Sequence, residues 1–148
     1  MRTIILPTML QARVGAHLAH TYPNEGGGFL LGRQEGETIT ISDAIEVENV
    51  FATEEQFHRY AMTPLHWAQM EDEAEARGLS LVGYFHSHPD SPAVPSEYDR
   101  AHALPNFVYL IAAVYEAQAR EWRVWELHPS RQCFDERQLI LAESSTRL

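Results

Sequence analysis

The chain has 148 residues, 45% of them apolar and 10% aromatic, which suits one globular domain with its own core and argues against disorder. Its formal net charge of −10 comes from 21 acidic residues against 11 basic ones, a surface with no electrostatic footprint for nucleic acid or an anionic membrane. No apolar run approaches the roughly 18–20 residues that cross a bilayer.

Arg2 to Leu6 reads as a first strand. Pro7 then opens a helix to about His20, with Met9, Ala12, Val14, Ala16 and Leu18 among its apolar positions. This start reads better as strand and helix than as a signal peptide, since no small-residue cleavage site follows the short apolar stretch. A second strand, Gly26 to Arg33, turns through Gln34-Glu35-Gly36-Glu37 into a third, Thr38 to Val47. There Thr38, Thr40 and Ser42 alternate with Ile39 and Ile41, which predicts one buried face. Glu48 to Glu55 is polar and reads as a loop, and Phe57 to Met62 as a short strand.

Thr63 is placed to cap a helix with Pro64 at its first position; Leu65, Trp67, Ala68, Met70, Ala74 and Ala76 follow, and Gly78 stops it. Leu79 to His88 is the next strand, and Pro89, Pro92 and Pro95 stiffen the loop after it. Ser96 to Ala103 reads as a short helix that Ser96 can cap. Phe107 to Tyr115, Glu121 to Leu127 and Gln132 to Ala142 follow as strands. The organisation expected is a mixed α+β sheet in a single domain over residues 1–142, with a polar tail over 143–148.

Two compositional details remain. All 11 basic residues are arginine, which fits either a GC-rich genome or adaptation to high internal salt. The single cysteine, Cys133, cannot form an internal disulfide, so a reducing cytoplasm is the economical expectation, with Cys133 a buried structural thiol.

The chemistry concentrates in His86-Ser87-His88 and the residues just after it. Alternate side chains of a strand share a face, so His86 and His88 project the same way and Ser87 the other, where a structural hydrogen bond is its expected task. Two imidazoles and a carboxylate from the following loop can supply three ligands to a metal and leave a fourth tetrahedral position open, the layout of a catalytic zinc site. Iron, manganese or cobalt also accept such donors. Asp99 and His102 stand three apart on the short helix, and either can be the third ligand. His17, His20, His58, His66 and His128 have no partner at ligand spacing and read as structural or exposed.

The full spacing, His86-x-His88-x7-Ser96-x2-Asp99, is similar to the signature of the JAMM (MPN+) zinc metalloprotease family. Upstream, Glu25-Gly26-Gly27-Gly28-Phe29-Leu30-Leu31-Gly32 resembles the strand that carries that family's general base. The resemblance implies a cytidine-deaminase-like MPN fold, with one zinc per chain on His86, His88 and Asp99. It further implies Glu25 as the general base, and Ser96 as a hydroxyl that stabilises the oxyanion. The three glycines after Glu25 are expected to let the backbone pass close to the metal and to an extended substrate.

Only seven residues, Arg100 to Asn106, separate Asp99 from the next predicted strand, so the chain resembles the compact prokaryotic members. That likeness implies hydrolysis of a peptide or isopeptide bond after the C-terminal Gly-Gly of a ubiquitin-like sulfur-carrier protein. A general small-peptide or cell-wall peptidase is the nearest alternative. A catalytically silent MPN scaffold is disfavoured by the intact set of site residues. A zinc deaminase would need a Pro-Cys-x-x-Cys pair, which one cysteine cannot supply.

Overall fold

A computed structural model describes residues 2–48 and 63–143. Ten elements follow one another in those residues: β1 (Thr3–Pro7), α1 (Thr8–Thr21), β2 (Gly27–Glu35), β3 (Thr38–Val47), α2 (Pro64–Ala76), β4 (Ser80–Pro89), α3 (Glu97–His102), β5 (Val108–Tyr115), β6 (Gln118–Leu127) and β7 (Phe134–Ala142). The predicted strand from Phe57 to Met62 lies outside the described residues, as do the loop beyond Glu48 and the tail beyond Glu143. Among the described residues no helix is long and apolar enough to cross a membrane.

The strands form one mixed sheet in the order β1-β3-β2-β4-β5-β6-β7, closed by parallel pairing of β7 with β1. Closure satisfies the edges that an open sheet would leave unpaired. It joins Ile4 to Leu139 and Ile5 to Ile140, partners from opposite ends of the chain.

Strand alternation divides the apolar side chains between two cores. Leu30, Phe85, Leu110, Ala112 and Val124 pack with Leu10, Val14 and Leu18 of α1. Their neighbours Phe29, Leu31, Tyr84 and Tyr109 pack with Trp67 and Ala74 of α2. The buried stripe of α1 therefore runs Leu10–Val14–Leu18, spaced to stay on one helical face. Met9, counted among the apolar positions from the sequence, points outward and is 68% exposed.

Local signals set the helix ends. The Thr63 hydroxyl accepts the His66 backbone N–H at 3.2 Å, Pro64 occupies the first turn, and Gly78 follows the last turn with φ +73°. Cys133 departs from expectation: it is exposed, in the turn from β6 to β7, where its neighbours Ser130, Arg131 and Gln132 are also exposed.

Candidate active site

The end of β4 builds the floor of the site. Antiparallel pairing with β2 sets His86 opposite Gly27, and parallel pairing with β5 sets His86 beside Ile111 and His88 beside Ala113. The two imidazoles lie on one face with ring centroids 5.1 Å apart, on the same side as Tyr84. An edge-to-face file of rings, Trp67–Phe29 at 5.1 Å and Phe29–Tyr84 at 5.4 Å, backs this side of the strand.

Asp99 arrives from α3. Ser96 is the N-cap of that helix, and its hydroxyl accepts the Asp99 N–H at 3.0 Å. The Asp99 Oδ2 in turn accepts the Ser96 N–H at 2.8 Å. This reciprocal capping box locks the aspartate with its carboxylate turned back past the helix start. The carboxylate then meets both histidines: His88 Nε2 is 3.1 Å from Oδ2, and His86 Nε2 is 3.3 Å from each oxygen. His86 is 1% exposed, His88 7% and Asp99 6%. Burial alone would raise the Asp99 carboxyl, but His86, His88 and the Ser96 N–H outweigh it and hold the group well below the usual carboxylate range.

The donor set suits a metal cation. His88 Nδ1 lies 3.0 Å from the Pro92 carbonyl, which has no proton to give, so Nδ1 is the protonated nitrogen. Its Nε2 then turns a lone pair towards a carboxylate oxygen 3.1 Å away. Two acceptors at that distance are compatible only with a second ring proton or a cation held among them. The ligand atoms of His86, His88 and Asp99 all lie within 4.8 Å of one another, close enough to share one ion.

His102 is directed elsewhere. Its ring is exposed, bonds the Tyr98 carbonyl through Nδ1 at 3.0 Å and stacks on Tyr98 with centroids 4.1 Å apart. His20 and His128 are exposed or half-buried, and neither they nor His17 and His66 join the cluster, while His58 lies outside the described residues.

Glu25 precedes β2 and is 6% exposed. Ser87 holds the neighbouring backbone: its hydroxyl accepts the Gly26 N–H at 2.8 Å, and its own N–H donates to the Gly26 carbonyl at 3.0 Å. A second tie, from the Tyr22 hydroxyl to Asp90 at 2.7 Å, joins the approach to Glu25 with the exit from β4. Neighbours within the chain already require glycine at two of these positions. A Cβ on Gly27 would stand 2.6 Å from the Tyr84 hydroxyl and 2.7 Å from the Phe85 carbonyl, and one on Gly28 only 2.3 Å from the Ile45 carbonyl.

The Pro92 carbonyl is the participant that the sequence hides. A backbone acceptor has no residue-type signature, and only the proline-rich loop hinted at a fixed path there.

Fold and site together define a JAB-type domain. Residues 7–128 match the family model described as prokaryotic homologs of the JAB domain, and the chain belongs to that family, with its α+β MPN fold. It is similar to a protein of Haloferax volcanii named desampylase, at 38% identity over 113 residues, which cover 75% of this chain and 77% of the relative. It is also similar to a Thermus thermophilus protein named a probable TtuB-protein conjugate cleaving protease, at 33% identity over 108 residues, 73% of this chain and 68% of that one. The solution structure of a protein from Desulfitobacterium hafniense superposes with a TM-score of 0.79 at 27% identity, covering 97% of this chain and 95% of that one.

Proposed function

We propose that this protein is a zinc-dependent metallopeptidase or isopeptidase that removes adducts from the C-terminal Gly-Gly of a ubiquitin-like sulfur-carrier protein. The observation that carries the reading is the buried meeting of His86, His88 and Asp99 beside the strand that Glu25 precedes. The name of the Thermus relative, which describes cleavage of a protein conjugate, supports the substrate class.

His86 Nε2, His88 Nε2 and the Asp99 carboxylate would hold one zinc ion. Zinc bound there would supply Lewis acidity that lowers the pKa of water towards neutrality. Glu25 accepts a proton from that water as its oxygen bonds to the scissile carbonyl carbon, then delivers the proton to the departing amine as the C–N bond breaks. The Ser96 hydroxyl spends a lone pair on the Asp99 N–H and keeps its proton, which it donates to the oxyanion. By analogy with other oxyanion donors that bond is worth about 3 kcal/mol.

The recessed ligands favour a substrate with little side-chain bulk at the scissile bond, and a Gly-Gly tail meets that requirement. The test compares a carrier protein joined through its Gly-Gly end to an amine with a panel of free peptides, with and without chelator. Cleavage of the conjugate alone, lost on chelation and restored by zinc, is expected. Equal turnover of free peptides would overturn the substrate class, and activity that survives chelation would overturn the chemistry.

A further inference from the structure

Three residues stand side by side in one row of the sheet: His88 on β4, Ala113 on β5 and Glu121 on β6. The loop after β4 arches over the small member of that row. Its Pro92–Ala93 peptide points its two polar ends in opposite directions. The Pro92 carbonyl accepts the His88 Nδ1–H at 3.0 Å, and the Ala93 N–H donates to Glu121 Oε1 at 3.0 Å. Ala93 and Ala113 are both fully buried, so no solvent separates the peptide from the sheet. Ala93 and Ala113 belong to one apolar cluster with Ile111 and Trp125.

We propose that Glu121 is a positioning residue for the metal centre, acting on His88 through this one peptide. This rests on the metal site proposed above. Histidines that bind metals usually give their other N–H to a carboxylate or a carbonyl, which fixes the tautomer and ring orientation. Here both are present in series: the carboxylate accepts from the amide, the amide polarises, and its carbonyl becomes the stronger acceptor for the imidazole. Glu121 thereby holds Nε2 free of its proton and aimed at the metal position.

A second anchor on the same loop separates this role from simple tethering. The Trp125 Nε1–H donates to the Ala93 carbonyl at 3.0 Å, which belongs to the next peptide and leads nowhere near His88 Nδ1. Trp125→Phe loosens the loop without interrupting the series, whereas Glu121→Ala interrupts it. The Glu121 side chain is 44% exposed, with its other oxygen 3.8 Å from Arg123, so the alanine variant is expected to fold normally.

The experiment measures zinc affinity by competition with a chromophoric chelator, and observes the His88 Nδ1–H of the zinc-loaded protein by ¹⁵N-edited NMR. Glu121→Ala is expected to weaken zinc binding about tenfold, the low end for outer partners of a metal ligand, since the carboxylate is one peptide removed. Its Nδ1–H signal should move upfield and exchange faster with solvent. Glu121→Gln keeps an acceptor oxygen and should retain the wild-type signal and most of the affinity, as should Trp125→Phe. Wild-type affinity and signal in Glu121→Ala would overturn the proposal. So would equal losses in Trp125→Phe, which would reduce Glu121 to a tether, or a Glu121→Gln variant as impaired as the alanine. A wild-type protein that binds no zinc would instead remove the proposed function and this role together, a result separable from the other three.

Discussion

The two faces of β4 have opposite character although their residues alternate along one strand. Phe85 and Ser87 turn towards α1, where Phe85 joins an aliphatic core and Ser87 closes its hydrogen bonds on Gly26. Tyr84, His86 and His88 turn the other way, where Tyr84 joins the second core and the two imidazoles meet the buried Asp99 carboxylate. Burying ionisable groups is costly without a partner, and this face meets the cost by setting them against one another. One face therefore serves stability. The other keeps a core around Tyr84 and, further along the strand, gathers a donor set that suits a cation.

Substitutions on the two faces should separate along that line. The largest effect belongs to Glu25→Gln, which should lower kcat by about 10²–10⁴ while zinc content stays at the wild-type level; unchanged turnover in a steady-state assay would remove the general base from Glu25. On the stability face, Leu18→Ala should cost about 2–5 kcal/mol in urea unfolding. Zinc affinity in that variant should stay within twofold, and a large loss of affinity would show that the faces are not separable. Ser87→Ala sits between the two, because it strands the buried Gly26 N–H next to Glu25. It should cost about 1–3 kcal/mol and reduce kcat with metal retained, whereas loss of metal would mean that Ser87 supports the ligands instead. Ser96→Ala should cost about 1 kcal/mol as a lost cap. If activity in that variant falls no further than its folded fraction, the hydroxyl acts only as a cap.

Much of this was legible in the sequence because the signals are local. The common face of His86 and His88 follows from strand alternation alone, and a serine ahead of the short helix is enough to mark the Ser96 cap. The ends of the helix after Thr63 were likewise set by Thr63, Pro64 and Gly78. What escaped depends on distant partners. Closure of the sheet joins Thr3 to Gln138, and nothing near either residue announces the other. Met9 turns outward because the buried stripe of α1 runs through Leu10, Val14 and Leu18, one step round the helix from it. Cys133 was expected inside because cysteine is small and apolar, yet its turn lies on the surface. The crowding around Gly27 and Gly28 comes from Tyr84, Phe85 and Ile45, on strands remote in sequence. Glu121 was invisible for the same reason: it reaches His88 through a backbone group of another loop.

Three side chains from a strand and a helix are proposed to hold one catalytic metal. Zinc content, measured by atomic emission on wild-type, Asp99→Ala and His102→Ala proteins, tests this most directly. One zinc per chain is expected in the wild type and in His102→Ala, and little or none in Asp99→Ala. Full zinc in Asp99→Ala, or its loss in His102→Ala, would contradict the site.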